Sequence, residues 1–429
     1  MKYEFKSIWD DNIDFTANYN ILNKDLSTDV CIIGGGITGI STGYYLYKNN
    51  VKFILLERNT ICSNTSKFST AKITSQHGLI FHDIVKKYGI KKAQKYLEAN
   101  NMAIKNIEDI IKKENIDCDF KKQDSFVQNN ISSPLNIKKA IKFKNQAQFN
   151  PKKYCIGLSN IIKQNIYEQC HVKKITKENG LFKIYTNTNK ILCKKVILCT
   201  HFAIKDIPGF YFLKMYQDTS YVVAADIKEN EFNGMYINVE SPTISLRGTK
   251  IDNKNILLVG GNNIKTGDNI KENNYIQLEQ IAKSIYPNCE IIKRWNTQDC
   301  ITLDKIPYIG NFSTIYPNIY IATGFNKWGI TTSNITANIL TDKILNRKNY
   351  YEDVFCATRL HPIKNIKEIY FNLNQTAQSL VIKKFKIKKD EIENIPKNTG
   401  KIIKLNNKNI GIYKDENEKE QKETFYQGS

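Results

Sequence analysis

The stretch Asp29-Val-Cys-Ile-Ile-Gly-Gly-Gly-Ile-Thr-Gly39, followed by Val51-Lys-Phe-Ile-Leu-Leu-Glu57, decides the fold. It reads as strand, tight turn, helix and second strand. Val30 to Ile33 is a short apolar run, as expected of a strand buried on both faces of a parallel sheet. Gly34, Gly36 and Gly39 complete a G-x-G-x-x-G pattern. The first glycine permits the turn, the second lets backbone approach a pyrophosphate, and the third lets the helix pack closely on the strand. The helix expected from Ile37 to about Lys48 directs its first N–H groups at the phosphates. Glu57 closes the second strand about 20 residues after the glycines, where a carboxylate accepts hydrogen bonds from ribose hydroxyls. The glycines alone are also met in turns with no ligand. Strand before, helix after and acid at the end point to a dinucleotide.

Next comes Cys62-Ser-Asn-Thr-Ser-Lys-Phe-Ser-Thr-Ala-Lys-Ile-Thr-Ser-Gln-His-Gly78, which is rich in small hydroxyl residues and reads as a loop. Such a loop can wrap a cofactor and offer hydroxyl donors; the plainer reading is a polar connection. Residues 1–24 are polar and aromatic, a segment expected to drape over the core. From Phe81 to Glu114 the period is helical, with Tyr96, Ala99, Ala103, Ile107 and Ile110 on one face. Ser125-Phe-Val-Gln reads as a strand, Ala140 to Phe149 as a helix fragment broken by Pro151, and Tyr154 to Gln164 as a helix. Lys195-Val-Ile-Leu-Cys-Thr200 is again a buried strand, so the first sheet is completed by segments far downstream.

Tyr221 to Val259 holds several turn-separated strands, expected to form the antiparallel sheet of a second domain. Tyr275 to Ile285 is helical. Pro317-Asn-Ile-Tyr-Ile-Ala-Thr-Gly324 is a buried strand, and Gly324-Phe-Asn-Lys-Trp-Gly329 leads into a helix from Ile330 to Leu345. A second glycine turn thus meets a second helix N-terminus. After about Phe371 the chain turns basic. Gly400-Lys-Ile-Ile-Lys-Leu and Asn409-Ile-Gly-Ile-Tyr suggest a hairpin, and the final residues are expected to fray.

The fold class is α/β: a discontinuous Rossmann-like domain with a second α+β domain that contains an antiparallel sheet. The dinucleotide domain is assigned residues 1–90, 150–215 and 300–350, and the substrate domain 91–149 and 216–299. Residues 351–395 form a helical, basic linker, and 396–429 a partly disordered small unit. A chain of 429 residues has room for two or three domains. No apolar run approaches the ~20 residues that cross a bilayer, and the N-terminus lacks the apolar core of a signal peptide, so a cytoplasmic protein is expected. The 10 cysteines form no C-x-x-C and no Cys/His cluster with zinc spacing, which implies reduced, buried thiols and no metal. Net charge is +21, but the lysines are spread along the chain without a nucleic-acid motif. No nucleic-acid partner is expected; the positive field favours anionic cofactors and substrates.

Together these motifs resemble the FAD-dependent oxidoreductases of the D-amino-acid oxidase and glycine oxidase class, in particular a branch with a C-terminal Rieske domain. Thr70-Ala-Lys-Ile-Thr-Ser-Gln-His-Gly-Leu-Ile, Ala147-Gln-Phe-Asn-Pro, Thr302-Leu-Asp-Lys-Ile-Pro-Tyr-Ile-Gly and Ala322-Thr-Gly-Phe-Asn-Lys-Trp-Gly-Ile-Thr carry the likeness. It implies non-covalent FAD rather than NAD. By resemblance, Gly34, Gly36, Ile37, Thr38 and Gly39 contact the pyrophosphate. Glu57, with Arg58 beside it, holds the adenosine ribose. Thr65, Ser66, Ser69, Thr70, Ala71 and Lys72 line the flavin. Val172 meets adenine, and Gly324, Lys327, Trp328, Gly329, Ile330 and Thr331 cap the pyrimidine end. Asn64 and Lys67 stand where the branch usually has glycines, so the local loop shape departs from it. Residues 400–415 resemble the opening of a Rieske domain. However, the last cysteine is Cys356 and the last histidine His361, so the two Cys-x-His ligand pairs are missing and no 2Fe–2S cluster is expected.

The flavin does the redox chemistry while the protein positions the substrate. The implied reaction oxidises a C–N bond of a small amine or amino acid by hydride transfer. Electrons then leave to oxygen, a quinone or a separate carrier. Candidate catalytic residues are Lys72 as a cation facing the ring, Arg247 as a planar clamp for a substrate carboxylate, and Trp328 as a wall of the pocket. His77 reads as a packed structural histidine, and Tyr221 and Tyr308 as further pocket candidates. The competing readings are an NAD-only dehydrogenase and a non-catalytic or regulatory flavoprotein that has lost its Rieske redox domain.

Overall fold

A computed structural model describes residues 4–10, 19–128, 140–204, 208–228, 231–266, 273–359, 399–405, 408–414 and 420–424. Two units are distinct: Met1–Pro362 and Ile363–Ser429.

The Leu26–Ile33 strand lies at the centre of the first sheet of the large unit, parallel to Phe53–Leu56 on one side and Lys190–Leu198 on the other. Ile319–Thr323 pairs parallel beyond Lys190–Leu198, and Ile166–Glu168 beyond Phe53–Leu56. Val30, Cys31, Ile32 and Ile33 are all buried, because helices or strands cover both faces of a parallel sheet. The chain leaves Leu26–Ile33 for one neighbour and returns on the other. A crevice therefore opens at the carboxyl end of that strand, where ligands of such sheets bind. The Ile37–Lys48 helix packs beside the Gly329–Ile344 helix over this sheet, and the Tyr45 hydroxyl reaches Asn334 between them.

The second sheet runs Glu4–Phe5, Glu290–Thr302, Met215–Asp226, Lys254–Lys265, Ile244–Ile251, Met235–Asn238, Lys121–Gln128, Ala140–Gln148, Lys72–Ile73. Its strands alternate as a period of two requires. Tyr221, Val223, Ala225, Leu257 and Val259 pack with Tyr275, Leu278 and Ala282 of the Asn273–Ile285 helix. Val222, Ala224, Leu258 and Trp295 face the other way and join the core that holds the first helix.

Several sequence expectations are corrected. Ala140–Gln148 is a strand, not a helix fragment: it pairs antiparallel with Lys121–Gln128 and with Lys72–Ile73, and that pairing overrides a helix-like composition. Pro151 begins a helix rather than breaking one, since Pro151–Ile161 starts with proline and the Asn150 side chain accepts from the Lys152 and Lys153 N–H groups. The long helical region divides at Gly89 into Ile80–Tyr88 and Ile90–Lys113. Lys72–Ile73, assigned from sequence to the cofactor domain, belongs to the second sheet. The basic linker falls mostly outside the described residues. In the small unit the expected hairpin is a three-stranded antiparallel sheet of Thr399–Leu405, Lys408–Lys414 and Glu420–Thr424, so part of the tail expected to fray is a paired strand. Among the described residues no helix is long and apolar enough to cross a membrane.

Candidate functional site

A cleft of about 730 Å³ starts at the glycine turn and reaches the inner face of the second sheet. This volume falls in the usual range of roughly 300–1,000 Å³ for small-molecule sites. At its first end Gly34 takes φ of 111°, a region open to glycine, and its N–H donates to the Leu56 carbonyl at 2.8 Å. A Cβ on Gly39 would collide with the Gly34 carbonyl oxygen, so helix and strand touch through that atom. Gly36 faces the cleft, where a Cβ would stand 3.2 Å from the Ser66 hydroxyl oxygen. That hydroxyl accepts from the Ile37 N–H at 3.0 Å, at the helix N-terminus where a pyrophosphate would bind.

Glu57 ends its strand at the rim of the cleft. Its Oε2 accepts from the Gly35 N–H at 2.7 Å and its Oε1 from the Asn59 N–H at 2.8 Å. Each oxygen keeps a second lone pair, which is what two ribose hydroxyls require. The expected result for Glu57→Ala is a loss of about 1.5–3 kcal/mol in FAD affinity, the scale of charge-assisted hydrogen bonds. Glu57→Gln, which keeps an acceptor, costs less. A flavin titration in which both variants match the unmodified chain would remove Glu57 from the ribose site.

The hydroxyl-rich loop is held from behind. Ser7 Oγ donates to the Lys67 carbonyl at 2.6 Å, Trp295 Nε1 to Phe68 at 2.9 Å and Trp9 Nε1 to Ser69 at 2.8 Å. The Arg247 guanidinium takes the Thr70 and Ala71 carbonyls. With five consecutive carbonyls tied to the core, Thr65, Ser66, Ser69 and Thr70 line the cleft. Asp10 anchors the same loop through Lys67. Burial works to raise its carboxyl, but bonds from Lys67 and Lys152 hold it below the usual range.

This clamp corrects the reading of Arg247 as a substrate ligand. Arg247 is only 1% exposed and does not line the cleft. Besides the two loop carbonyls it bonds the Phe149 carbonyl and Gln148 Oε1, and it stacks over Trp9. A fork already filled by four acceptors has no edge left for a carboxylate. Its work is to fix the strand that carries Lys72.

Lys72 does line the cleft. Its Nζ donates to the Tyr236 carbonyl at 3.0 Å and to the Ser245 hydroxyl. Burial, with the nearby Arg247 charge adding to it, pushes its ammonium down to about 7. Trp328 also lines the cleft and stacks on His77 with ring centroids 4.5 Å apart. His77 is locked between the Tyr96 hydroxyl and the Thr74 carbonyl, each at 2.8 Å, and burial pushes it down to about 3, so the ring is neutral. It is a wall and not a base.

Gly34, Gly36, Ile37, Thr38, Glu57, Arg58, Lys72, Val172, Gly324, Lys327, Trp328, Gly329 and Ile330 all meet at the cleft. Gly39, Ala71 and Thr331 do not line it. Gly39 lies beneath the turn, the Ala71 carbonyl is taken by Arg247, and the Thr331 hydroxyl donates to Asn100 Oδ1 at 2.8 Å. Tyr221 contributes to the lining, but it packs edge-on to Tyr275 on the far side of the sheet; Tyr308 is buried away from the cleft. Sequence reading missed His201, Asp218, Ser220, Thr297 and Asp299, which also line it. His201 follows the carboxyl end of a parallel strand, a position that could have singled it out. The four others become neighbours only through the register of Met215–Asp226 with Glu290–Thr302.

Residues 29–129 and 127–343 match the family described as FAD dependent oxidoreductase, DAO. The Bacillus subtilis (strain 168) protein YhfW, whose given name includes the words Rieske 2Fe-2S iron-sulfur protein, is 32% identical over 96% of this chain and 87% of its own length. Gamma-glutamylputrescine oxidoreductase of Escherichia coli (strain K12) is 20% identical over 76% of this chain and 85% of its own. The crystal structure of glycine oxidase from Geobacillus kaustophilus superposes with a TM-score of 0.64 at 15% identity, covering 79% of this chain and 100% of that one. The glycine turn, the acid at the end of the second strand and the second helix N-terminus at Gly329 are the parts an FAD site needs, and the cleft joins them. The chain belongs to the DAO family of FAD-dependent oxidoreductases.

Proposed function

We propose that this oxidoreductase acts on a C–N bond of a small amine or amino acid, with FAD held non-covalently. The observation that carries the reading is the cleft itself. It runs without a break from Glu57 and the glycine turn to a pocket lined by Lys72, Asp218, Asp299 and Trp328. Gly34, Gly36, Ile37, Thr38, Glu57 and the 65–72 loop hold the dinucleotide, and the turn from Gly324 to Ile330 caps the ring. A flavin held there would supply a hydride acceptor for the carbon beside an unprotonated nitrogen, and the iminium so formed would lose a proton to give the imine. Lys72 is held by two hydrogen bonds at the inner end, and with its ammonium pushed to about 7 it can carry or release a proton near neutral pH. The stacked pair His77 and Trp328 walls the pocket against water. The names of the gamma-glutamylputrescine oxidoreductase and glycine oxidase relatives agree with an amine or amino-acid substrate.

The purified protein is expected to be yellow and to release its flavin to the supernatant on acid precipitation. Anaerobic mixing with a panel of amines and amino acids is expected to bleach the flavin with at least one member. Colour left in the pellet would refute the non-covalent site, and a flavin that no member reduces would refute the reaction. A second reading, a non-catalytic flavoprotein, is favoured by one observation: residues 362–429 contain no cysteine or histidine, so that segment has no ligands for a Rieske cluster. Iron and sulfide analysis of the full chain tests that point, and the anaerobic panel separates the two readings.

A further inference from the structure

We propose that Asp299 selects substrates that bring a positively charged nitrogen, by receiving that ammonium on the inner wall of the cleft. This rests on the cleft being the substrate site.

Met215–Asp226 and Glu290–Thr302 are antiparallel neighbours in which Asp218 pairs with Asp299 and Ser220 with Thr297. Directly opposed side chains stand about 4.5–5.5 Å apart at Cβ, so two carboxylates on one rung repel unless a cation intervenes. Lys327 intervenes for only one of them. Its Nζ bonds Asp218 at 2.7 Å, and Asn263 Nδ2 donates to the same carboxylate at 2.7 Å. Asp218 is therefore buried, paired and used. Asp299 has no ion pair of its own among the described residues; the cation that acts on it is the one bonded to Asp218. The trio of Asp218, Asp299 and Lys327 carries one uncompensated negative charge when both acids are ionised.

A second observation points the same way. Thr297 Oγ1, on the adjoining rung, and His201 Nε2 are buried polar atoms without a hydrogen-bond partner among the described residues, and both residues line the cleft. Buried polar atoms in native proteins are bonded to something, so unpartnered ones beside a cavity mark where a ligand supplies the partner. A carboxylate with the Thr297 hydroxyl and an imidazole nitrogen offers acceptors to an ammonium, which has three donors and no acceptor. It repels a ligand that offers only a carboxylate. Lys72, which also lines the cleft, can meet an anionic part of the same molecule. The class selected is a cationic amine or a zwitterion, and hydroxy acids are disfavoured.

The test uses the full FAD-loaded chain and reads perturbation of the flavin absorbance, which requires no turnover. Propylamine and propionate are the probes. The unmodified chain is expected to bind propylamine at least tenfold more tightly than propionate. Asp299→Asn should lose that preference by at least tenfold with its flavin content unchanged, and Asp299→Glu should keep it. The groups facing Asp299 are Asp218, Lys327, the Ser220 hydroxyl that hydrogen-bonds it and the adjoining Cys300 thiol, and His201, held below its usual range by burial, lines the same cleft. Burial, opposed by Lys327 and reinforced by Asp218, pushes its carboxyl up to about 6, so propylamine binding should strengthen as pH rises through that value. If Asp299→Asn does not fold, this pH dependence in the unmodified chain decides. The inference is overturned if Asp299→Asn binds propylamine like the unmodified chain, if propionate is preferred, or if neither probe perturbs the flavin. A chain that binds propylamine through Asp299 but is reduced by no amine keeps this inference and loses the proposed reaction.

Discussion

Arg359→Ala should lower the stability of the large unit by about 3–5 kcal/mol, the scale of breaking one side of a buried ion pair. The guanidinium meets Asp304 with Nε at 2.7 Å and Nη2 at 2.8 Å, the two-point geometry that arginine favours. It also donates to the carbonyls of Ile306, Pro307 and Cys356 and lies 4.0 Å over the Tyr308 ring. Asp304 is buried too, and without Arg359 its neighbours, such as the Tyr88 hydroxyl at 2.8 Å and the Ile306 N–H at 3.2 Å, supply no such two-point cationic partner. A carboxylate left so placed is the main cost of the substitution. Lysine is no substitute, because a point charge cannot span the carboxylate and three carbonyls at once. Unfolding followed by tryptophan fluorescence gives the value. The double variant Arg359→Ala with Asp304→Asn should lose much less than the sum of the two singles, because the orphaned charge is gone. A fully additive pair would show that the two residues do not act together.

How far the sequence could be read depended on whether a feature was local. Gly34, Gly36, Gly39 and Glu57 fall within one βαβ unit, where each role follows from spacing along the chain. Gly34, Gly36 and Glu57 line the crevice, and Gly39 lies beneath the turn. Ala140–Gln148 was not legible, because only its last three residues are buried and its strand character comes from partners on both sides. Arg247 illustrates a different limit. An arginine on a strand of a second domain looks available until Gln148, Phe149 and the 70–71 carbonyls converge on it from distant segments. Asp299 is the converse. In Trp295-Asn-Thr-Gln-Asp299 it reads as a polar strand end, and only the register with Asp218 and the engagement of Lys327 leave it without an ion pair of its own among the described residues. Local motifs thus mark the glycine-turn part of the cleft, whereas the part around Asp218 and Asp299 is made by strand pairing across long separations.

Gly39→Val should weaken FAD binding at least a hundredfold, about 3 kcal/mol, the upper end of what overpacking costs. The argument runs through Gly34. A side chain at Gly39 would strike the Gly34 carbonyl oxygen. Gly34 has nowhere to retreat, because on its other side the Cys199 carbonyl occupies the space where its own Cβ would be. Its N–H is also fixed to Leu56 at 2.8 Å. The strain therefore falls on the Ile37–Lys48 helix, which must lift from the sheet and carry its N-terminal N–H groups away from Ser66 and the cleft. Gly43→Ala is the control on the same helix. Its new Cβ would meet only the side-chain ends of Ile162 and Phe53, which can shift, so stability drops while the cofactor site stays in place. Flavin content and titrated affinity are measured for both variants, with far-UV circular dichroism to confirm that each is folded. A folded Gly39→Val chain that binds FAD within tenfold of the unmodified one would show that the helix does not set the phosphate site through this contact.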